Sequence, residues 1–214
     1  MIKIFIGALL LYTAPCKIFA QKNNGEPKNL LRFNILGLAD LFDQNLSFGF
    51  EHGFNSNWSA GTDAGWIFNT NTLDHIRGAN GIIARPFLRY YPKSHNSFWE
   101  VELHYKYVSY KIEDWLGRIP ENNIPAYQEF TTFNLHKNAA GLHLKWGIQS
   151  NLSRNQKLKF EFVSGLGVRF KWYKVRDGIY TTGRGIININ NISTTQTSIS
   201  PVFPISLRLV YIVM

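Results

Sequence analysis

Residues 98–110 read Phe-Trp-Glu-Val-Glu-Leu-His-Tyr-Lys-Tyr-Val-Ser-Tyr. Trp99, Val101, Leu103, Tyr105 and Tyr107 alternate with Glu100, Glu102, His104 and Lys106, a period of two that a helix cannot sort onto opposite sides. The stretch is an extended strand with one apolar face and one charged face. Aromatic and β-branched side chains suit that conformation, and aromatics make up 15% of the chain, against few helix-forming Ala-rich or Leu-rich runs.

The same period recurs on both sides of it. Toward the N-terminus, 29–37 sets Leu31, Phe33 and Ile35 against Arg32 and Asn34. Residues 45–54 set Leu46, Phe48 and Phe50 against Ser47, Gly49 and Glu51. After only Asn55-Ser56-Asn57, a tight hairpin turn, 58–68 set Trp58, Ala60, Thr62, Ala64, Trp66 and Phe68 against Ser59, Gly61, Asp63 and Gly65. In 82–91, Ile82, Ala84, Leu88 and Tyr90 oppose Arg85 and Arg89; Pro86 cannot donate to a ladder and predicts a bulge or local irregularity.

Toward the C-terminus, 137–149 set Ala140, Leu142, Leu144, Trp146 and Ile148 against Lys137, Gly141, His143, Lys145 and Gly147. Residues 158–172 set Phe160, Phe162, Leu166, Val168, Phe170 and Trp172 against Lys159, Glu161, Gly165, Gly167, Arg169 and Lys171. Residues 202–213 set Phe203, Ile205, Leu207, Leu209 and Tyr211 against Ser206 and Arg208.

Eight strands is an even number, which lets an antiparallel sheet close so that every backbone group is paired. The predicted fold is all-β: an eight-stranded antiparallel up-and-down transmembrane β-barrel over residues 29–214. A soluble lipocalin-like barrel also alternates, but it keeps its apolar face inside; here the face carrying so many charges belongs to the lumen. Short turns at 55–57, 92–97 and 150–157 are placed in the periplasm, and longer loops at 69–80, 111–136 and 173–201 outside the cell. The Asn- and Ile-rich segment 183–200 reads as a loop or as strands extending above the membrane.

Aromatic girdles follow from spacing. Trp58 and Trp66 lie eight residues apart on the apolar face, as do Trp99 and Tyr107, and eight residues at about 3.3 Å each, tilted near 45°, rise roughly 19 Å. Trp146, Trp172 and Tyr211 complete the expected girdle positions.

The N-terminus carries Lys3, nine apolar residues from Ile4 to Tyr12, and Ala20 before Gln21. Nine is too short for a spanning helix, which needs about 20, and fits a signal peptide at 1–20, followed by a short periplasmic segment at 21–28. Cys16 is the single cysteine; Pro15 before it and Lys17-Ile18 after it speak against a lipid-modified terminus. Cleavage after Ala20 leaves a chain without thiol chemistry. The net charge of +9, or +7 once Lys3 and Lys17 leave with the signal, then faces lipopolysaccharide phosphates or acidic envelope partners and not nucleic acid.

Arg32-Phe33-Asn34 after Asn29-Leu30-Leu31, the run Leu46-Ser47-Phe48-Gly49-Phe50-Glu51, Arg89-Tyr90-Tyr91 and an Ala-Gln cleavage site resemble small outer-membrane barrel proteins of Bacteroidota. The plan is similar to the membrane domain of the OmpA family without its peptidoglycan-binding domain. The resemblance implies the outer membrane of a Gram-negative bacterium. The final residues lack the usual terminal aromatic of such barrels, leaving Tyr211 as substitute.

An eight-stranded interior has room for side chains only. The expected interior charge network is Arg32, Glu51, Asp63, Arg85, Arg89, Glu100, Glu102, His104, Lys106, His143, Lys145, Glu161, Arg169 and Arg208. Charges enclosed together have to pair, because an unpartnered one is strongly destabilising. His104 and His143, with Glu100 or Glu102, admit a proton relay or a metal site as a second reading; the first is that they belong to the plug, with no cofactor. A lipid A deacylase would need Ser where Asn138 stands in Leu135-His136-Lys137-Asn138. The expectation is therefore a non-enzymatic outer-membrane protein, structural or interacting within an envelope assembly, its partners outer-membrane lipid, lipopolysaccharide and other envelope proteins. A small-solute channel and a lipid-modifying enzyme are the alternatives. If the signal reading holds, the protein recovered from an expressing Gram-negative host starts at Gln21 by intact mass; a species retaining residues 1–20 contradicts it.

Overall fold

The computed structural model describes residues 29–40, 43–70, 75–92, 96–121, 124–175, 179–180 and 196–213. The expected signal peptide, Cys16, the segment 21–28 and most of 183–200 lie outside the described residues.

The strands are β1 (Asn29–Asn34), β2 (Asp43–Gly53), β3 (Trp58–Thr70), β4 (Ile76–Tyr90), β5 (Ser97–Glu121), β6 (Ile124–Asn151), β7 (Leu158–Val175), β8 (Ile179–Tyr180), β9 (Gln196–Val202) and β10 (Ile205–Val213). Chain neighbours pair antiparallel from β1 to β7, and β10 closes the sheet by pairing with both β1 and β7. β9 and β10 are two halves of one strand against β7, interrupted at Phe203 and Pro204. Gly165 N–H donates to Pro204 O across that interruption (3.1 Å), so the ladder is carried through the break. The architecture is all-β, an antiparallel sheet closed into a ring of eight strands.

Alternation sets which residues face inward. Along β5, Glu100, Glu102, His104, Lys106, Val108, Tyr110 and Ile112 are all buried, while Trp99, Val101, Leu103 and Tyr105 between them are exposed. The tight turn after β2 is fixed by Phe54 N–H donating to Trp58 O (2.9 Å) and by Asn55 Oδ1, which accepts from the Asn57 and Trp58 amides.

Four expectations need correction. First, β1 stops at Asn34; a 3-10 turn over Ile35–Gly37 follows, and β2 begins two residues early, at Asp43. Second, Pro86 brings the expected local irregularity but no bulge: Thr62↔Pro86 is in line, and Ala84↔Tyr105 and Phe87↔Glu102 keep one register. Only the pairing with β5 lapses at Arg85 and Pro86, since proline lacks the N–H. The register shifts lie instead at Gln44/Asn45 and Ile76/Gly78. Third, 111–136 is not a loop. β5 still pairs with β4 at Lys111 and Ile112; from Glu113↔Thr132 to Glu121↔Ile124, β5 and β6 run on together as a hairpin beyond the ring, with β8 against its β5 edge at Leu116 and Gly117. Fourth, the expected loops at 69–80 and 173–201 are in part strand, because β3 reaches Thr70, β4 starts at Ile76, β7 ends at Val175 and β9 starts at Gln196.

The inside is not uniformly polar either. Toward the hairpin end it is filled by Ile67, Ile83, Val108, Tyr110, Ile112, Leu116, Phe133, Leu135, Tyr173 and Val175. These form an apolar cap over the charged region.

Close approach of neighbouring strands depends on glycine. A Cβ on Gly165 would lie 2.2 Å from Leu144 O and 2.7 Å from Lys145 Cα, both backbone atoms, whereas a Cβ on Gly78 would meet nothing within 4 Å. Gly165→Val is therefore expected to destabilise the folded form by about 1–3 kcal/mol through overpacking and Gly78→Val to be neutral, read as the urea midpoint of tryptophan fluorescence in detergent.

Candidate functional site

Two neighbouring rows of inward positions meet around Arg89. Its Nε donates to Glu100 Oε2 (2.7 Å), and its two terminal nitrogens make a bidentate pair with Glu161 (2.9 and 2.8 Å). A terminal nitrogen also lies 3.0 Å from Glu51 Oε2 and 3.2 Å from Tyr91 Oη. The guanidinium plane rests over the Phe98 ring at 3.9 Å. Arginine is the residue for this place because its planar fork presents several donors in fixed directions and stacks on aromatic faces.

The carboxylates around it are shared. Glu100 accepts both terminal nitrogens of Arg208 (2.9 and 3.1 Å) and lies 3.5 Å from Arg32 and from Lys145. Arg32 adds Asp63 (3.3 Å) and Glu51 (3.5 Å), with its guanidinium 4.0 Å over Phe87. Glu51 Oε1 accepts from Ser59 (2.6 Å) and Tyr91 (2.7 Å) hydroxyls. Glu102 pairs with Lys145 and accepts from His143 Nδ1 at 3.0 Å. A carboxylate only accepts, so Nδ1 carries the proton in this pair.

A second cluster lies nearer the apolar cap. Asp43 takes Lys106 at 2.5 Å and Lys137 at 3.4 Å, and accepts from the Thr70 and Tyr110 hydroxyls (2.8 and 3.0 Å).

Of the fourteen residues expected in the interior network, thirteen are buried: Arg32, Glu51, Asp63, Arg85, Arg89, Glu100, Glu102, His104, Lys106, His143, Lys145, Glu161 and Arg208. Arg169 is half-buried. Arg85 donates a hydrogen bond to Ser47 Oγ (2.9 Å) and, among the described residues, has no carboxylate within ion-pair distance. The expected girdle positions face outward: Trp58, Trp66, Trp99, Trp146 and Tyr211 are exposed, and Tyr107 and Trp172 are half-buried.

Sequence reasoning missed Asp43, Tyr91, Phe87 and Phe98. Asp43 sits at a strand end, where a two-residue error in the boundary removes it from the pattern; Tyr91 lay within the expected strand but at its last position, in phase with Arg89 and without a charge to mark it. Phe87 and Phe98 are apolar on the polar face, and the signal that could have found them is their phase with Arg85, Arg89 and Glu100.

Glu102, His104 and His143 each bring a ligand atom within 4.8 Å of the others, the donor set a metal ion could take. The His104 and His143 rings are 5.2 Å apart, and Nε2 of each is buried without a hydrogen-bond partner. No family model matches the chain, and no curated protein or solved structure matches it.

Removing one partner from a buried ion-pair network leaves the others uncompensated, which typically costs roughly 3–5 kcal/mol. Arg89→Met, which strands Glu161 and takes one cation from Glu51 and from Glu100, is therefore expected to lower the urea midpoint strongly, and Arg89→Met with Glu161→Gln to recover part of the loss. Arg77→Ala, which removes the exposed pair with Glu113, is expected to leave the midpoint unchanged.

Proposed function

We propose that the chain is an eight-stranded transmembrane β-barrel of a Gram-negative outer membrane, exported by a cleaved signal, with a charge-plugged lumen and a structural or docking role in the envelope. One observation carries this reading: the polarity of the ring is inverted. Phe48, Trp66, Ile82, Leu103, Leu142, Leu144, Leu166 and Phe170 stand outside, each more than half exposed, while Arg89, Glu51, Glu100 and Glu161 are enclosed at 0%. A soluble protein rarely leaves so much contiguous apolar surface uncovered, and closed strands with lipid outside and charge inside are the arrangement a bilayer permits.

The interior argues against the channel alternative. Arg89 bridges Glu100 of β5 to Glu161 of β7, and Arg32 of β1 reaches Glu100 across the ring. Those bridges occupy the lumen where solute would pass. With β5 and β6 continuing as a paired hairpin beyond the ring, contact with a partner falls to that hairpin and to the outer wall, and the partners that fit are outer-membrane lipid, lipopolysaccharide and neighbouring envelope proteins. The nucleophile of a lipid A deacylase is missing beside His136, which counts against that alternative.

Reconstitution tests both halves. The chain should migrate faster on gels before boiling than after, and in planar bilayers the wild type should give no conductance steps while Arg89→Ala gives small ones. Failure of heat-modifiability counts against the barrel, and steady wild-type current against the plug.

A further inference from the structure

Carboxylates and cations are not evenly distributed along the lumen. Around Arg89, the cations Arg32, Arg89, Lys145 and Arg208 share Glu51, Asp63, Glu100, Glu102 and Glu161. One level toward the cap, Arg85, Lys106, Lys137, Arg169 and Lys171 occur together, and the buried carboxylate there is Asp43, already taken by Lys106 and Lys137. Among the described residues, Arg85 and Arg169 have no carboxylate within ion-pair distance, and the Nε of each is buried without an acceptor.

Register brings these groups onto one wall. Arg85 of β4 falls opposite His104 of β5, in the register that joins Ala84↔Tyr105 to Phe87↔Glu102. His104 pairs with Gly141 of β6, and Gly141 with Arg169 of β7. Because position 141 has no side chain, His104 and Arg169 face one another across it, and the charges of Arg85 and Arg169 both act on His104. Lys171 lies one inward position further along β7, within electrostatic reach of Arg169 and Lys106. Arg169 and Lys171 are half-buried, so the space between them is reachable by a small solute.

We propose that this tier of the lumen is a binding site for a small inorganic anion, held by Arg85, Arg169 and Lys171 with His104 Nε2–H as a further donor. Guanidinium groups stay protonated; Glu102 acts on both from a distance, and Asp40 and Asp43 on Arg169, but neither guanidinium has a carboxylate in contact, and a buried guanidinium N–H without an acceptor is destabilising until one joins it. An anion supplies that acceptor to both arginines and to the orphaned imidazole nitrogen at once. A divalent metal on Glu102, His104 and His143 would satisfy the imidazoles alone. It would also add positive charge beside Arg85, Arg169 and Lys145, and compete with Lys145 for Glu102. The sign of the field decides for the anion.

The test uses the full chain refolded in detergent with gluconate, bulkier than either test anion, as the only anion. Exchange at constant ionic strength into bromide or phosphate, scored by the temperature at which the fast-migrating form is lost, should raise that temperature by about 5 °C for at least one of them. Arg169→Gln should abolish the gain, and Lys171→Gln, at a half-exposed position that folding tolerates, should reduce it. A gain in bromide alone assigns a halide-sized site and in phosphate alone an oxyanion site. A bromine anomalous peak among Arg85, Arg169 and His104 in crystals grown from bromide would place the halide. No gain in either anion overturns the proposal even if both variants misfold, and so does stabilisation by zinc chloride that zinc gluconate reproduces, which would assign the tier to a metal.

Discussion

Enclosure of charge inside a small closed sheet is the constraint on which the rest depends. An eight-stranded ring leaves an interior that side chains fill, and here that space holds Arg89 with three glutamates around it. Their desolvation is offset only while the bidentate geometry is kept, so the strands that deliver Arg89, Glu100, Glu161 and Glu51 must hold register to within a residue; a slip of one would turn each charge to the outside. The ladder that runs through β4, β5, β6, β7 and β10 is therefore coupled to the ion pairs. The same coupling explains the glycines: Gly61, Gly141, Gly165 and Gly167 stand beside large inward side chains or against neighbouring backbone, where any Cβ would fall within 3 Å of another atom.

The sequence made the ring legible because burial on one side enforces a strict period of two. β5 from Glu100 to Lys106 alternates without exception, and its pairing partner β6 carries Lys145, His143 and Gly141 in matching phase. Where the enforcement ends, legibility ends. Beyond Ile112 the hairpin is solvated on parts of both faces: Trp115, Tyr127 and Phe130 are exposed, and Gly117, Pro120, Asn122 and Pro125 look like turn residues. Nothing in such a stretch distinguishes loop from strand except β-formers such as Thr131 and Thr132, which carry little weight alone. The Asp43 cluster was hidden for a different reason, since the residue lies next to the register shift at Gln44/Asn45. An irregular ladder breaks the phase that would have assigned it inward.

Three tiers inside one narrow ring follow from these placements. Ion pairs occupy the end near the short turns, a cation-rich tier the middle, and an apolar cap the end that leads to the hairpin. Tyr110 and Lys137 join the upper two: the Tyr110 hydroxyl donates to Asp43 while its ring lies in the apolar cluster, and Lys137 Nζ sits 3.2 Å from that hydroxyl. In the middle tier Lys106 and Lys137 share Asp43, while among the described residues Arg85 and Arg169 have no carboxylate in direct contact.

A hairpin that prolongs two ring strands is a different surface from a loop. Its ladder continues the ring's own hydrogen bonds from Glu113↔Thr132 outward, Trp115 and Phe130 meet edge to face at 5.6 Å, and Arg118 pairs with Glu129 at 3.0 Å. Each contact reduces the conformations open to the free chain, so a partner that met these aromatics would bind a surface already ordered, without the entropy that fixing a 26-residue loop would cost. On the barrel reading, the ion pairs then have two consequences at once. They close the middle of the molecule, and by locking β5 and β6 in register they set the direction in which the hairpin projects.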